Sequence, residues 1–329
     1  MRILVVGGTV FVGRHIVEAA VARGHEVTLF NRGNRPAPTG VARELRGDRD
    51  SDLSALDEGT WDAVVDTSAY VPRQVRYLVD ALGGRVGSYA LVSTVSVYAD
   101  QTRPHLDEDA ALTALEDESV EEVTNETYGA LKALCERALA EGFEGPTLVV
   151  RPGLVAGPHD PTDRFTYWPV RFARGGDVLV PSRLETPLQC VDARALGSWT
   201  VRAVEDGLTG TYNATSEAGR FTLGALFDAC LALAPAGTRA VPVDEGWLLE
   251  QGVRPFSDLP LWLPGEYSNF FLLDASRAHA AGLADLPLAD TAADTLEWWR
   301  GAGSPELKTG LVAEREGELL ARWRAGRPD

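Results

Sequence analysis

Met1-Arg-Ile-Leu-Val-Val-Gly-Gly-Thr-Val-Phe-Val-Gly13 opens the chain, and its reading decides the fold. Ile3 to Val6 is a short apolar run of the kind a buried parallel strand needs. Gly7, Gly8 and Gly13 follow, and His15 to Arg23 then carries helical periodicity and stops at Gly24. Glu26 to Asn31 reads as a second strand. A strand, a glycine turn, a helix and a strand within about 30 residues form a dinucleotide-binding unit. Small residues let backbone N–H groups approach a pyrophosphate, and the helix N-terminus adds partial positive charge. Gly7, Thr9, Val10, Phe11, Val12 and Gly13 are therefore the first candidate cofactor contacts.

Outward from this unit, Trp61–Asp66, Ser88–Ser93 and Thr147–Arg151 read as further strands, with helices at Gln74–Leu82 and Thr127–Glu141. Strands alternating with helices predict an α/β fold with a doubly wound parallel sheet. After Gly153 the pattern loosens into strand-like pieces at Gln189–Val191 and Gly210–Asn213 and helices at Ala193–Glu205 and Leu223–Ala232. The C-terminal stretches 247–250, 276–282, 291–300 and 313–324 are mostly helical. The expected organisation is a dinucleotide-binding domain over 1–155, with pieces at about 189–213 returning to it, and a smaller substrate lobe over 156–329. In an open α/β sheet the ligand crevice lies at the carboxyl ends of the strands. Those ends supply Thr67, Ser68 and Ala69, then Val92 and Ser93, then Pro152, Gly153, Leu154 and Val155 as further cofactor candidates.

Bulk properties narrow the classes. Of 329 residues 45% are hydrophobic, ample for a core, yet no run approaches ~18 uncharged apolar residues, so no membrane association is expected. Residue 1 leads straight into the first strand, which leaves no room for a signal peptide. Cys135, Cys190 and Cys230 are odd in number and lack metal or redox spacing, as free thiols in a reducing cytoplasm would. A net charge of −17 repels phosphate backbones and makes nucleic acid a poor partner. None of the five histidines lies in a metal-ligand pattern, so no metal is expected.

Tyr128-Gly-Ala-Leu-Lys132 is the pattern that carries chemistry. Its two outer side chains lie one turn apart on one helical face. An ammonium beside a phenol stabilises the phenolate and lowers the tyrosine from its usual ~10 toward neutrality. The hydroxyl-rich strand end Val92-Ser-Thr-Val-Ser-Val-Tyr98 precedes it, and Arg151-Pro-Gly-Leu-Val-Ala-Gly-Pro158 follows.

In these segments the sequence resembles the extended short-chain dehydrogenase/reductase superfamily, of the NAD(P)-dependent epimerase/dehydratase type. The resemblance covers about residues 2–200 and fades toward the C-terminus. It implies a Rossmann-like fold, with Thr94, Tyr128 and Lys132 as catalytic residues. Thr94 would hydrogen-bond the substrate oxygen, Tyr128 exchange the proton, and Lys132 bind the nicotinamide ribose. The family's glycine turn is Gly-x-x-Gly-x-x-Gly; here Gly7 and Gly13 hold the outer places and Val10 the middle one, where a Cβ crowds the pyrophosphate. Gln189-Cys-Val-Asp-Ala-Arg194 matches the family's Val-Asp-x-Arg segment. The 4,6-dehydratase members carry Thr-Asp-Glu where this chain has Thr94-Val95-Ser96, which disfavours water elimination.

Where NAD enzymes place an acidic residue at the end of the second strand, this chain has Asn31 and Arg32, with Arg35 close behind. Arginine suits the 2′-phosphate of NADP, so NADP is expected ahead of NAD. Asp48 matches relatives in which Gly-Asp binds the adenine amine. Tyr70, Ser96 and Tyr98, with Arg164, Trp168, Arg183 and Gln189 from the lobe, are the substrate candidates. The expected protein is a cytoplasmic oxidoreductase on a carbonyl or secondary alcohol of a small metabolite. The alternative is a sugar-nucleotide epimerase with tightly held NAD. A further alternative is a non-catalytic or RNA-associated member, since the turn and Phe30-Asn-Arg-Gly33 resemble the chloroplast stem-loop-binding branch. By the same resemblance a homodimer would form through Gln74–Leu82 and Thr127–Glu141.

Overall fold

A computed structural model describes residues 1–326, which form two compact units. The first comprises Met1–Val155, Cys190–Glu217 and Leu273–Asp285. Its strands are β1 (Arg2–Val6), β2 (Glu26–Asn31), β3 (Arg43–Arg46), β4 (Ala63–Asp66), β5 (Tyr89–Val92) and β6 (Thr147–Pro152). With Gly210–Ala214 they make a seven-stranded sheet in the order Gly210–Ala214, β6, β5, β4, β1, β2, β3, every pairing parallel. The chain runs outward from β1 in one direction and from β4 in the other, so the order reverses between these two strands. That is where an open α/β sheet binds its ligand.

Strand β1 is buried on both faces, as a parallel strand must be when helices cover the sheet. Ile3 and Val5 join a core with Ile16, Val17 and Ala20 of helix α1 (Phe11–Ala22) and with Leu196 and Trp199 of the helix Ala193–Glu205. Leu4 and Val6 face the opposite core, with Val75, Leu78 and Leu82 of α2 (Pro72–Leu82) and Cys135, Ala138 and Leu139 of α3 (Tyr128–Gly142). Leu273–Asp285 joins this unit through Asn213 Nδ2, which donates to the Asp274 carbonyl at 2.9 Å, and through the His279 ring at 2.9 Å from the Thr215 carbonyl.

The second unit comprises Ala156–Gln189, Ala218–Leu272 and the described part of Leu286–Asp329. Asp177–Pro181 pairs in parallel with Arg239–Val243, and Pro187–Leu188 pairs antiparallel with Phe221–Thr222. Around these short ladders lie helices Tyr167–Ala173, Leu223–Leu231, Glu245–Glu250, Leu288–Gly301 and Ala313–Ala325. Its core is aromatic: the Trp168 and Phe227 rings lie 4.6 Å apart, beside Phe172. All three cysteines are free and buried. Among the described residues no helix is long and apolar enough to cross a membrane, and no cluster could hold a metal ion.

Candidate active site

The glycine turn leaves β1 with Gly7 at φ +98° and Gly8 at φ +77°, conformations that a Cβ would strain. A Cβ on Gly13 would lie 2.9 Å from the Gly8 backbone and 2.7 Å from Thr67 Oγ1, so the turn closes only around glycine. Val10 sits at the N-cap of α1 with extended backbone and remains 40% exposed, so its side chain does not fill the turn. Next to it, Phe11 is held at φ +39°, a left-handed conformation that non-glycine residues avoid. No side chain caps α1 and no acidic residue lies in its first turn. The N–H groups there suit an anion. The turn therefore suits the pyrophosphate of a dinucleotide, with the Val10 side chain exposed at its edge.

At the β2 end, Asn31 is held from both sides. Its Oδ1 accepts Gly33 N at 2.5 Å and its Nδ2 donates to Glu44 Oε1 at 3.2 Å. Arg32 and Arg35 are exposed and make no ion pair among the described residues. Arg46, the last residue of β3, borders Gly33 and stands 3.6 Å from Glu44. The sequence reading missed both Glu44 and Arg46, because the pairing of β2 with β3 is what brings them beside Asn31. Asp48 is half-buried in a closed turn, where its Oδ1 accepts Asp50 N at 3.0 Å.

The catalytic candidates converge at the ends of β4 and β5. Thr94 caps a short 3-10 turn, accepting Ser96 N at 3.1 Å and donating to Ser96 Oγ at 3.2 Å. The Thr94 hydroxyl neighbours the Tyr128 phenol and favours its ionised form. Gly129 lets α3 come this close, since a Cβ there would overlap the Ser96 carbonyl oxygen. Gly129→Ala should cost about 3 kcal/mol in a urea melt, as overpacking against fixed backbone does. A loss within measurement error would mean that α3 stands off from Ser96.

Lys132 is 3% exposed, and its Nζ donates to the Ala69 carbonyl at 2.6 Å and the Val92 carbonyl at 2.8 Å. One of its three N–H donors is left for a ligand. It is one of only two lysines in the chain, the other being Lys308. The expectation that Lys132 lowers the Tyr128 phenol is not met. Burial pushes Tyr128 above the ordinary phenol value, the Tyr70 phenol adds to this, and the Thr94 hydroxyl works the other way. Burial likewise pulls the Lys132 ammonium below the ordinary lysine range. Tyr70 is half-exposed, with its ring 6.4 Å from that of Tyr128 and 6.0 Å from Lys132 Nζ.

Several substrate candidates are placed elsewhere. Tyr98 is 2% exposed and donates to Asn213 Oδ1 at 2.6 Å, while Arg151 Nη1 donates to its hydroxyl at 3.1 Å. It belongs to a buried polar network rather than to a binding surface. In the same network Arg151 forks onto Glu136 at 3.0 and 2.6 Å, and the Ser93 hydroxyl donates to Glu136 at 2.5 Å. In the second unit Trp168 is fully buried and donates Nε1–H to the Pro260 carbonyl at 2.8 Å, so it is core. Gln189 is also buried. Arg164 lies over the Phe256 ring at 4.8 Å and is exposed, whereas Arg183 stands 3.9 Å from Glu245.

A second buried network was also missed. Asp66, wholly buried at the end of β4, accepts both Nη atoms of Arg49 at 2.7 and 2.8 Å and the Tyr89 hydroxyl at 2.8 Å. Burial alone would raise the Asp66 carboxyl; the Arg49 guanidinium outweighs it and holds the group below the usual carboxylate range. An acidic residue closing the apolar run Val64-Val65-Asp66 is a sequence signal for a buried partner, but it does not name Arg49.

Residues 3–77 match the model of the NAD dependent epimerase/dehydratase family. Chloroplast stem-loop binding protein of 41 kDa b from Arabidopsis thaliana is 30% identical over 131 residues, a match spanning 33% of each chain. The Bordetella bronchiseptica enzyme WbmG, solved with NAD and UDP, superposes with a TM-score of 0.67 at 18% identity, covering 95% of this chain and 99% of that one. UDP-glucuronic acid 4-epimerase from Bacillus cereus, solved with NAD, gives 0.66 at 17% identity over 92% of this chain and 99% of that one. At these identities the likeness is one of fold.

Proposed function

We propose, on the premise of a match to the NAD dependent epimerase/dehydratase family over residues 3–77 and of a fold shared with enzymes solved with NAD, that the protein transfers hydride to or from a carbonyl or secondary alcohol of a small metabolite. The observation that carries this reading is the meeting of Thr94, Tyr128 and Lys132 at the strand ends beside a turn shaped for pyrophosphate. A bound nicotinamide dinucleotide supplies the hydride donor or acceptor. Everything else falls to the chain. The α1 N-terminus holds the diphosphate, and Lys132 offers its remaining N–H to a ribose hydroxyl. Thr94 steadies the substrate oxygen, and Tyr128 moves the proton at that oxygen.

With its pKa raised by burial, Tyr128 holds its proton through neutral pH and serves as the acid for reduction. An acid must be protonated, so activity is present below its pKa and lost above it. Reductive rates should stay level from neutrality to the ordinary phenol range near ~10 and fall beyond it. A fall centred near neutrality would assign the titration to another group.

Cofactor choice rests on Arg32 and Arg35, whose exposed guanidinium groups suit a 2′-phosphate. Arg32→Glu should lower the NADPH:NADH affinity ratio about tenfold, the size of one lost charge-assisted contact. An unchanged ratio would place the 2′-phosphate elsewhere.

The second reading, an epimerase that keeps NAD bound, is favoured by Glu44, an acidic group held beside Asn31 where a 2′-hydroxyl would lie. The solved epimerase from Bacillus cereus holds NAD. Nucleotide that survives purification and does not exchange would select this reading. An RNA-associated role is opposed by the net charge of −17, whatever the name of the Arabidopsis relative.

A further inference from the structure

We propose that Arg49 and Asp66 are positioning residues for Lys132, acting through the turn Thr67–Ala69. This rests on the ribose-binding role given to Lys132 above, and its test reads the lysine without substrate or cofactor.

The turn is held at three points. At its start, Thr67 Oγ1 donates to the Val6 carbonyl at 2.9 Å and accepts Gly8 N at 3.4 Å, which joins it to the glycine turn. In its middle, Ser68 N donates to Asp66 Oδ1 at 3.0 Å and Arg49 Nη1 donates to Ser68 Oγ at 2.9 Å. At its end, the Ala69 carbonyl takes the Lys132 ammonium at 2.6 Å. The middle hold rests on the buried pair, with the Ser68 hydroxyl also donating to the Val6 carbonyl at 3.4 Å. Asp66 is 0% and Arg49 8% exposed, and Arg49 Nη2 also reaches the Gln74 carbonyl at 3.2 Å, which ties the pair to α2.

Arg49 itself projects from the closed turn Asp48–Asp52, where Asp52 N donates to the Asp48 carbonyl at 2.7 Å and Asp48 N to the Asp52 carbonyl at 2.9 Å. The loop expected at the adenine and the carbonyl that holds the lysine are thus joined by one buried ion pair. A lysine with four rotatable bonds needs such a fixed acceptor if its last N–H is to stay aimed at a ligand. The other charged or aromatic neighbours, Cys135, Glu136 and Tyr70, act on Lys132 directly and do not set the turn.

The two-lysine composition supplies the test. In protein labelled with ¹⁵N-lysine, the buried and doubly bonded Lys132 ammonium should give a slowly exchanging N–H signal, assigned by its loss in Lys132→Arg, while Lys308 serves as internal control. Asp66→Asn should abolish that signal in the dinucleotide-free protein and lower kcat about 10²-fold with KM little changed, as a misplaced group near the chemistry does. Arg49→Met should do the same, and Arg49→Lys, whose added lysine gives a third signal assigned by its absence from the wild type, should restore part of both readouts. Should Asp66→Asn fail to fold, Arg49→Lys and Arg49→Met carry the same reading. A folded Asp66→Asn or Arg49→Met variant with the Lys132 signal unmoved overturns the proposal. Because the signal is read on dinucleotide-free protein, the positioning role can be refuted while the hydride-transfer reading stands, and the reverse.

Discussion

Tyr128→Phe should lower turnover about 10³-fold, within the range that a positioned acid or base contributes, on any carbonyl or alcohol of a test panel that the wild type turns over. The phenylalanine keeps the ring beside Tyr70, 6.4 Å between centroids, and loses only the hydroxyl that neighbours Thr94. Removing one half-buried hydroxyl costs folding stability about 1 kcal/mol at most, so a folded variant is expected. Dinucleotide affinity should stay within about threefold, since the phenol acts on the substrate oxygen in the transition state rather than on the cofactor in the ground state. Rates close to wild type would remove Tyr128 from the chemistry and leave Thr94 without a partner in proton transfer.

Arg151→Met should destabilise the protein by about 3–5 kcal/mol, the cost of leaving one partner of a buried pair alone. Arg151 is 4% exposed and provides two hydrogen bonds to Glu136, one to the Tyr98 hydroxyl and one, at 3.0 Å, to the Glu108 carbonyl. Without it the Glu136 carboxylate keeps the Ser93 hydroxyl and little else. Adding Glu136→Leu to the same chain should recover much of the loss, because the orphaned charge is then gone. Urea unfolding of both variants reads the difference. A single-variant loss below about 1 kcal/mol would mean that water reaches Glu136 and that the network is not sealed.

Both networks show where a sequence stops speaking. The first strand, the glycine turn and the helix Ala193–Glu205 were legible because their apolar periodicity is local. The placing of Tyr128 and Lys132 one helical turn apart is local and was legible too, whereas Thr94 entered through the family resemblance and not through any periodicity. Arg43–Arg46 was not, since a four-residue edge strand with Leu45 as its one buried residue has no pattern to read. Nor was the pairing of Asp177–Pro181 with Arg239–Val243, which distant segments create. Tyr98 sits in a hydroxyl-rich strand end and reads as exposed, yet Asn213 and Arg151 draw it inside. The Lys132 direction is set by carbonyls of Ala69 and Val92, and the Tyr128 pKa by burial, neither of which the Tyr-x-x-x-Lys spacing contains.

The central claim is that the glycine turn holds a nicotinamide dinucleotide for hydride transfer. Its most direct test is a fluorescence titration of the purified protein with NADPH and NADH, after mass spectrometry has identified any nucleotide carried through purification. Saturable binding of one or both is expected, or NAD already in place. Gly13→Val should lose it, since a Cβ there would stand 2.9 Å from the Gly8 backbone. A folded wild-type protein that carries no nucleotide and saturates with neither cofactor would contradict the claim.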